Sequence, residues 1–149
     1  MKIMGLDVGD RRIGIALSDD EGVIALPRET LKRESTSKDV DRLAALALKE
    51  AVGRIVVGLP ISLDGTEGPQ AKKTRGFIAS LSGRTAVPVD TWDERLTTVA
   101  AERSLLESDV SRARRRDVVD QVAATLMLQS YLDCRRAREN QESATTERT

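Results

Sequence analysis

The sequence predicts an α/β domain built on a mixed five-stranded sheet, three antiparallel strands followed by parallel ones, flanked by helices. Three observations lead there. Residues 2–30 read as hairpin-linked strands. The middle of the chain alternates helix and strand, which implies parallel pairing across each crossover. The run at 54–60 is apolar without polar alternation, as expected of a strand covered on both faces. A chain of 149 residues, 40 % of them hydrophobic, has enough apolar material for one buried core without a metal or disulfide to hold the fold.

Residues 2–8 are mostly apolar and β-prone, and Gly9, Asp10 and Arg11 supply turn chemistry. Ile13, Ile15 and Leu17 then alternate with Gly14, Ala16 and Ser18, completing a hairpin pattern. A third strand is expected over 23–30, after the turn at 19–22, and Pro27 places it at an edge or shortens it. The stretch 35–39 reads as a helix start, with Thr36 three residues ahead of Asp39. Apolar positions 40, 43, 44, 47, 48, 51 and 52 extend that helix over 38–52. Beyond Gly53 and the central strand comes a loop rich in Gly, Ser and Asp at 62–69. A helix over 69–82 and a strand over 86–92 follow. Two more helices are expected over 97–107 and 113–136, the second with apolar positions 118, 119, 122, 123, 126 and 127. The folded domain is expected to span 1–138. Residues 139–149, almost all polar and without an apolar period, are expected to form a disordered tail.

What is missing narrows the chemistry. Histidine is absent, which excludes serine–histidine triads, HExxH zinc sites and histidine general bases. Hydrolysis would have to run on carboxylates, lysine, water or metal, and oxygen donors favour Mg2+ or Mn2+. Cys134 is the single cysteine, so neither an internal disulfide nor a cysteine-rich zinc site can form. With 24 basic and 24 acidic residues the formal charge is 0, unlike a histone-like protein, although local basic patches can still bind phosphate. The first ten residues contain no secretory leader pattern, and no apolar run approaches the roughly 20 residues of a membrane span, so a soluble cytoplasmic enzyme is expected.

Against this background the positions of certain acids stand out. Asp7 lies inside the apolar first strand, Asp93 and Glu94 just past the fifth, and Asp120 in the last helix. A carboxylate within a strand is costly unless paired or metal-bound. Each position also has an ordinary reading. Asp7 could cap the turn at Gly9 or pair with Arg11 or Arg12. Glu94 could sit at a helix N-terminus, where acids favour the dipole, and Asp120 could pair with Arg116 one turn away.

The order of elements is that of the ribonuclease H-like fold, and the motifs sharpen this. The segments GLDVGDRRIGIALSD at 5–19, IVVGLPISLDGTEGPQA at 55–71, DERLTT at 93–98 and VDQVAATLMLQSYLD at 119–133 together resemble the YqgF/RuvX family of pre-16S rRNA nucleases and Holliday junction resolvases. The resemblance covers nearly the whole body of the chain. The DVG segment also resembles the first phosphate-binding turn of the actin, sugar-kinase and heat-shock ATPase superfamily, but that superfamily's nucleotide cleft lies between two such domains and this chain supplies one.

The resemblance implies a metal-dependent endonuclease with Asp7, Glu94 and Asp120 as both the catalytic and the metal-holding set. Three carboxylates can hold two Mg2+ or Mn2+ ions roughly 3.5 to 4 Å apart for an in-line phosphodiester displacement. Asp7 would be the central ligand. Sequence register leaves open whether Asp93 or Glu94 points inward. Asp10 departs from the family, which more often has a hydroxyl residue there, and would add a ligand or repel phosphate.

Nucleic-acid contacts are expected from Arg11 and Arg12, from Lys72 and Arg75 in the helix after the 58–68 loop, from Arg95, and from Arg114, Arg115 and Arg116. Only Phe77, Trp92 and Tyr131 are aromatic, so recognition should rest on backbone shape and charge. The expected partner is a structured nucleic acid, precursor 16S rRNA at its 5' end foremost and branched DNA second. A non-catalytic ribosome-assembly factor is the alternative outside enzymes, and a homodimer is possible, with Cys134 able to link two chains only under oxidation.

Overall fold

A computed structural model describes the backbone of residues 1–97 and 112–147, and the side chains of 1–97 and 119–144. Its elements run β1 (Lys2–Val8), β2 (Arg12–Ser18), β3 (Ala25–Lys32), α1 (Thr36–Lys49), β4 (Val52–Leu59), α2 (Pro69–Ser82), β5 (Val89–Asp93), a 3-10 turn (Glu94–Leu96) and α3 (Arg112–Glu147). The five strands form one sheet in the order β3-β2-β1-β4-β5. β1 pairs antiparallel with β2 and parallel with β4, and β4 pairs parallel with β5. This is the mixed sheet expected from the sequence, with the apolar 54–60 run in an interior strand.

Side-chain alternation on β1 divides the core in two. Met4, Leu6 and Val8 face α1 and α2, where Val40, Leu43, Phe77 and Leu81 close one apolar layer. Ile3 faces the other way, into a layer with Val56, Trp92, Ala124, Met127, Leu128 and Leu132 under α3. Small residues on this second face let α3 lie close. A Cβ on Gly5 would fall 2.8 Å from Leu128 Cβ, so only glycine there accommodates the helix.

Several boundaries differ from expectation. The third strand is shifted to Ala25–Lys32, and its register slips opposite Ile15 and Ala16, where Pro27 lies. This edge position spares Pro27 the ladder hydrogen bond it cannot make. The fifth strand begins at Val89 rather than at 86. α1 starts at Thr36, two residues early, because Ser35 is the N-cap and accepts from the Lys38 N–H at 3.2 Å. The same helix ends at Lys49 rather than at 52: Ala51 turns into the left-handed region at φ 52° and Val52 begins β4. Asp39 lies in the first turn of α1, as the helix-start pattern implies, and is also fully buried and ion-paired with Arg33.

The expected helix over 97–107 falls almost entirely outside the described residues. The last helix is longer than expected: α3 continues through the predicted tail to Glu147. Residues such as Arg, Glu, Gln and Ala propagate a helix that is already nucleated on the sheet, and the Arg135–Glu139 pair at 3.3 Å adds a one-turn contact. Among the described residues no helix is long and apolar enough to cross a membrane.

Candidate functional site

The site forms at the C-terminal ends of β1 and β4, on the face covered by α3. Because Leu6 and Val8 point toward α1 and α2, Asp7 points the other way, half-buried. Its partner on β2 is Gly14, and the β1–β4 register, in which Leu6 meets Val57, brings Gly58 alongside it when continued by one residue. Gly58 in turn pairs with Trp92 of β5. Across the sheet the row therefore reads Gly14, Asp7, Gly58, Trp92.

Both glycines beside Asp7 make room for another part of the site. A Cβ on Gly14 would stand 2.1 Å from the backbone oxygen of Asp120, so the α3 backbone rests on that strand. A Cβ on Gly58 would stand 2.7 Å from Glu94 Oε1, so the Glu94 carboxyl group lies over β4. Asp7 is thus flanked by Glu94 on one side and by the Asp120 segment of α3 on the other. Glu94 and Asp120 are also half-buried.

Asp93 has a different task. Its carboxylate accepts from the Arg95 backbone N–H at 2.9 Å, capping the 3-10 turn, and from Arg95 Nη2 at 2.7 Å. The Arg95 guanidinium, chiefly through these hydrogen bonds, holds the Asp93 carboxyl below the usual carboxylate range. Of this pair it is Glu94 whose carboxyl group lies over Gly58, in the strand beside Asp7.

The chemistry of the donor set suits a hard divalent cation: it is all carboxylate, at one sheet end, with no histidine in the chain. Among the described residues no three acidic or cysteine side chains are grouped closely enough to hold an ion between them as they stand. Asp7, Glu94 and Asp120 each already interact with a neighbour. Mg2+ commonly keeps several waters and takes only one or two carboxylates directly, so the fit of these groups to such an ion is one of donor chemistry and not of a preformed cage.

The basic residues expected to meet substrate are distributed around this end. Arg11 is exposed in the β1–β2 turn, and Arg12 is half-buried at the start of β2. Lys72 is exposed in the first turn of α2, and Arg75, also exposed, is ion-paired with Glu67. Arg95 is exposed, bound to Asp93, and lies over the loop at Gly65, where an added Cβ would meet its Nη1 at 3.6 Å. Arg114, Arg115 and Arg116 fall on the first turns of α3, and their side chains are outside the described residues. Asp10, whose role was open, is exposed and paired with Lys73 of α2 at 3.6 Å.

Sequence reasoning missed the bracket that holds the β1–β2 turn. Arg33 donates from Nε to Asp39 at 3.0 Å, from Nη1 to the Gly9 carbonyl at 3.2 Å and from Nη2 to Thr36 Oγ1 at 3.3 Å. Its guanidinium also lies 5.1 Å over the Phe77 ring. The turn two residues after Asp7 is thereby tied to α1 and α2. A buried acid in an otherwise amphipathic helix was the available signal.

A mixed sheet of this order, with an acid on its first strand and another in its last helix, defines a ribonuclease H-like domain of the resolvase type. The fold agrees with a solved structure, "T. thermophilus RuvC in complex with Holliday junction substrate", at a TM-score of 0.56 and 15 % identity over 90 % of this chain and 96 % of that one. The fowlpox virus Holliday junction resolvase gives 0.50 and 16 % over 90 % and 99 %. Residues 1–134 match the family profile described as RuvX, Holliday junction resolvase, and the chain belongs to that family. Proteins described as "Putative pre-16S rRNA nuclease" are close in sequence. The one from Symbiobacterium thermophilum is 53 % identical over 93 % of this chain and 96 % of its own length. The one from Desulforudis audaxviator is 51 % identical over 94 % and 99 %.

Proposed function

We propose that the chain is a divalent-metal-dependent endonuclease that cuts structured nucleic acid, with precursor 16S rRNA at its 5' end as the substrate. The observation that carries the reading is the row through Asp7, with a glycine on each side and Glu94 and Asp120 brought in over those glycines. The names carried by relatives about half identical over nearly the full length favour precursor rRNA. The family description favours branched DNA as the second substrate.

In this reading Asp7, Glu94 and Asp120 would hold the ion or ions. A bound Mg2+ or Mn2+ activates the attacking water and offsets charge on the leaving oxygen. The protein's part is to fix the carboxylates on rigid elements and to present the scissile phosphate to them. Asp7 is fixed by β-sheet pairing on both sides, and Glu94 by the turn that Asp93 caps. Arg11, Arg12 and Lys72, with the arginines opening α3, would attract the backbone toward this end, and a sparse aromatic set leaves shape and charge as the means of recognition.

The test is cleavage of a precursor 16S rRNA fragment and a four-way DNA junction in parallel, with Mg2+ or Mn2+ against EDTA, by wild type and by Asp7→Asn. Cutting of the rRNA by wild type with metal, reduced at least about 100-fold in Asp7→Asn, is expected, since removing a metal ligand forfeits several kcal/mol of transition-state stabilisation. Cutting of the junction alone would transfer the assignment to branched DNA. Binding of either substrate without metal-dependent cutting would overturn the nuclease reading in favour of an assembly factor.

A further inference from the structure

A second feature lies on the same α3 face, nearer the opposite end of the sheet. It is a cleft of 210 Å3 lined by Arg54, Trp92, Tyr131, Cys134, Arg135 and Arg138. Arg54 lies near the start of β4, and its Nη1 donates to Asp90 at 2.6 Å. Tyr131 donates to the same carboxylate oxygen at 2.9 Å. Trp92 meets Tyr131 edge to face, with ring centroids 5.9 Å apart. Arg135 is paired through Nε with Glu139, and Arg138, one turn on, makes no ion pair among the described residues.

Two guanidinium nitrogens here, Arg54 Nε and Arg135 Nη1, are buried without a hydrogen-bond partner. A buried unpaired donor costs roughly 1 to 3 kcal/mol, more when charged, so these two leave the Arg54 and Arg135 guanidinium groups with unused donor capacity beside the cleft. The three arginines that line the cleft stand against two carboxylates beside it, Asp90 paired with Arg54 and Glu139 paired with Arg135. An anionic acceptor with several oxygens fits this charge and these forked donors better than a neutral one.

We infer that this cleft is a phosphate-binding site, separate from the carboxylate end, that grips the backbone of a bound nucleic acid away from the scissile bond. The inference rests on the nucleic-acid reading above. Trp92 forms the wall between the two places: it pairs with Gly58 beneath Glu94 and also lines the cleft. From Gly58 to Arg54 is four residues of β4, about 13 Å at the usual rise per residue. Along a duplex that equals roughly four base steps. A strand held at the arginines would therefore reach the carboxylates a few nucleotides further on, which gives the enzyme a means of setting distance without reading bases.

The cleft carries its own reporter, because Cys134 is the single cysteine and lines it half-exposed. The experiment follows the rate of Cys134 alkylation by N-ethylmaleimide in EDTA, with the full chain alone, with a 20-base-pair duplex, and with inorganic phosphate. The duplex should slow alkylation several-fold. Arg135→Gln, which leaves the Arg54–Asp90 pair intact, should abolish that protection. It should also reduce the slope of log affinity against log salt by about 0.9, the loss of one phosphate contact. Circular dichroism of the variant checks its fold, and a charge-retaining Arg135→Lys should keep the slope.

Protection by phosphate alone at equal concentration would assign the site to free phosphate instead of a phosphodiester. A duplex that binds while leaving the alkylation rate and the slope unchanged would overturn the inference, as would failure of both ligands to protect. Cleavage is scored separately, so the two readings fail differently. Wild type that cuts without protecting Cys134 refutes the cleft alone, and protection without cutting refutes the nuclease reading alone.

Discussion

Asp93 and Glu94 are adjacent acids at a strand end, and their side chains take opposite roles because of what surrounds each. Asp93 is spent on capping the 3-10 turn and binding Arg95, while Glu94 lies over Gly58, in the strand beside Asp7. Glu94→Gln should therefore lower kcat at least about 100-fold, and Asp93→Asn should lower it far less. Gly58→Ala discriminates further, because its new Cβ meets the end of a flexible side chain. Turnover should fall as the Glu94 carboxyl is displaced, while the melting temperature changes little. Gly14→Ala would instead meet the α3 backbone at Asp120, and should lower both. Arg95 depresses the Asp93 pKa, so this pair supports the fold above the ordinary carboxylate range and loses its contribution as pH falls through the lowered value. Asp93→Asn should flatten that part of an acid-denaturation profile. The sequence identified these acids but not their directions. A one-residue change of register at a strand end exchanges the two faces, and only the packing of Glu94 on a glycine of another strand fixes it. The same holds for Arg33 with Asp39 and for Arg54 with Asp90, 36 residues apart, whose pairing no local pattern records.

At the scale of elements, period and turn chemistry were legible where they were strong. The first strand and α2 have the bounds their patterns imply, and the apolar run after Gly53 lies inside the sheet. The end of α1 was not legible, since positions 51 and 52 continue the apolar spacing of the helix yet serve as a turn and a strand start. The chain reverses there by placing Ala51 in the left-handed region, unfavourable for any residue with a Cβ by about 1 kcal/mol. Ala51 is exposed, so nothing is lost from the core on its replacement. Ala51→Gly should stabilise the protein by about 0.5 to 1 kcal/mol, seen as a rise of roughly 1 to 4 °C in melting temperature. An unchanged or lower value would mean that the entropy of glycine in the unfolded chain outweighs the relief of strain. The extension of α3 was hidden for the opposite reason. Residues 136–144 are all exposed, so periodicity, the signal by which the rest of the helix was found, is absent where helix propensity sustains it.

For the molecule as a whole, the two apolar layers hold the sheet rigidly between α1 and α2 on one side and α3 on the other, and the acids are gathered at one end of that frame. Bringing three carboxylates toward a half-buried place opposes folding, through desolvation and mutual repulsion, unless a cation is present. The balance can be measured without any substrate. In EDTA, Asp7→Asn should melt at the same temperature as wild type or higher, because the repelling charge it removes outweighs the contact Asp7 makes with its neighbour and neither apolar layer is touched. Added Mg2+ or Mn2+ should then stabilise wild type only: at ten times its dissociation constant an ion binding the folded state contributes about 1.4 kcal/mol, several degrees in melting temperature. The sign in EDTA is the decisive part. If Asp7→Asn melts well below wild type there, Asp7 serves the fold, as a cap on the Gly9 turn or a partner of a neighbouring arginine. If it melts at or above wild type and no longer responds to the ion, the carboxylate is held at the end of β1 at the expense of stability, which is what a ligand position requires.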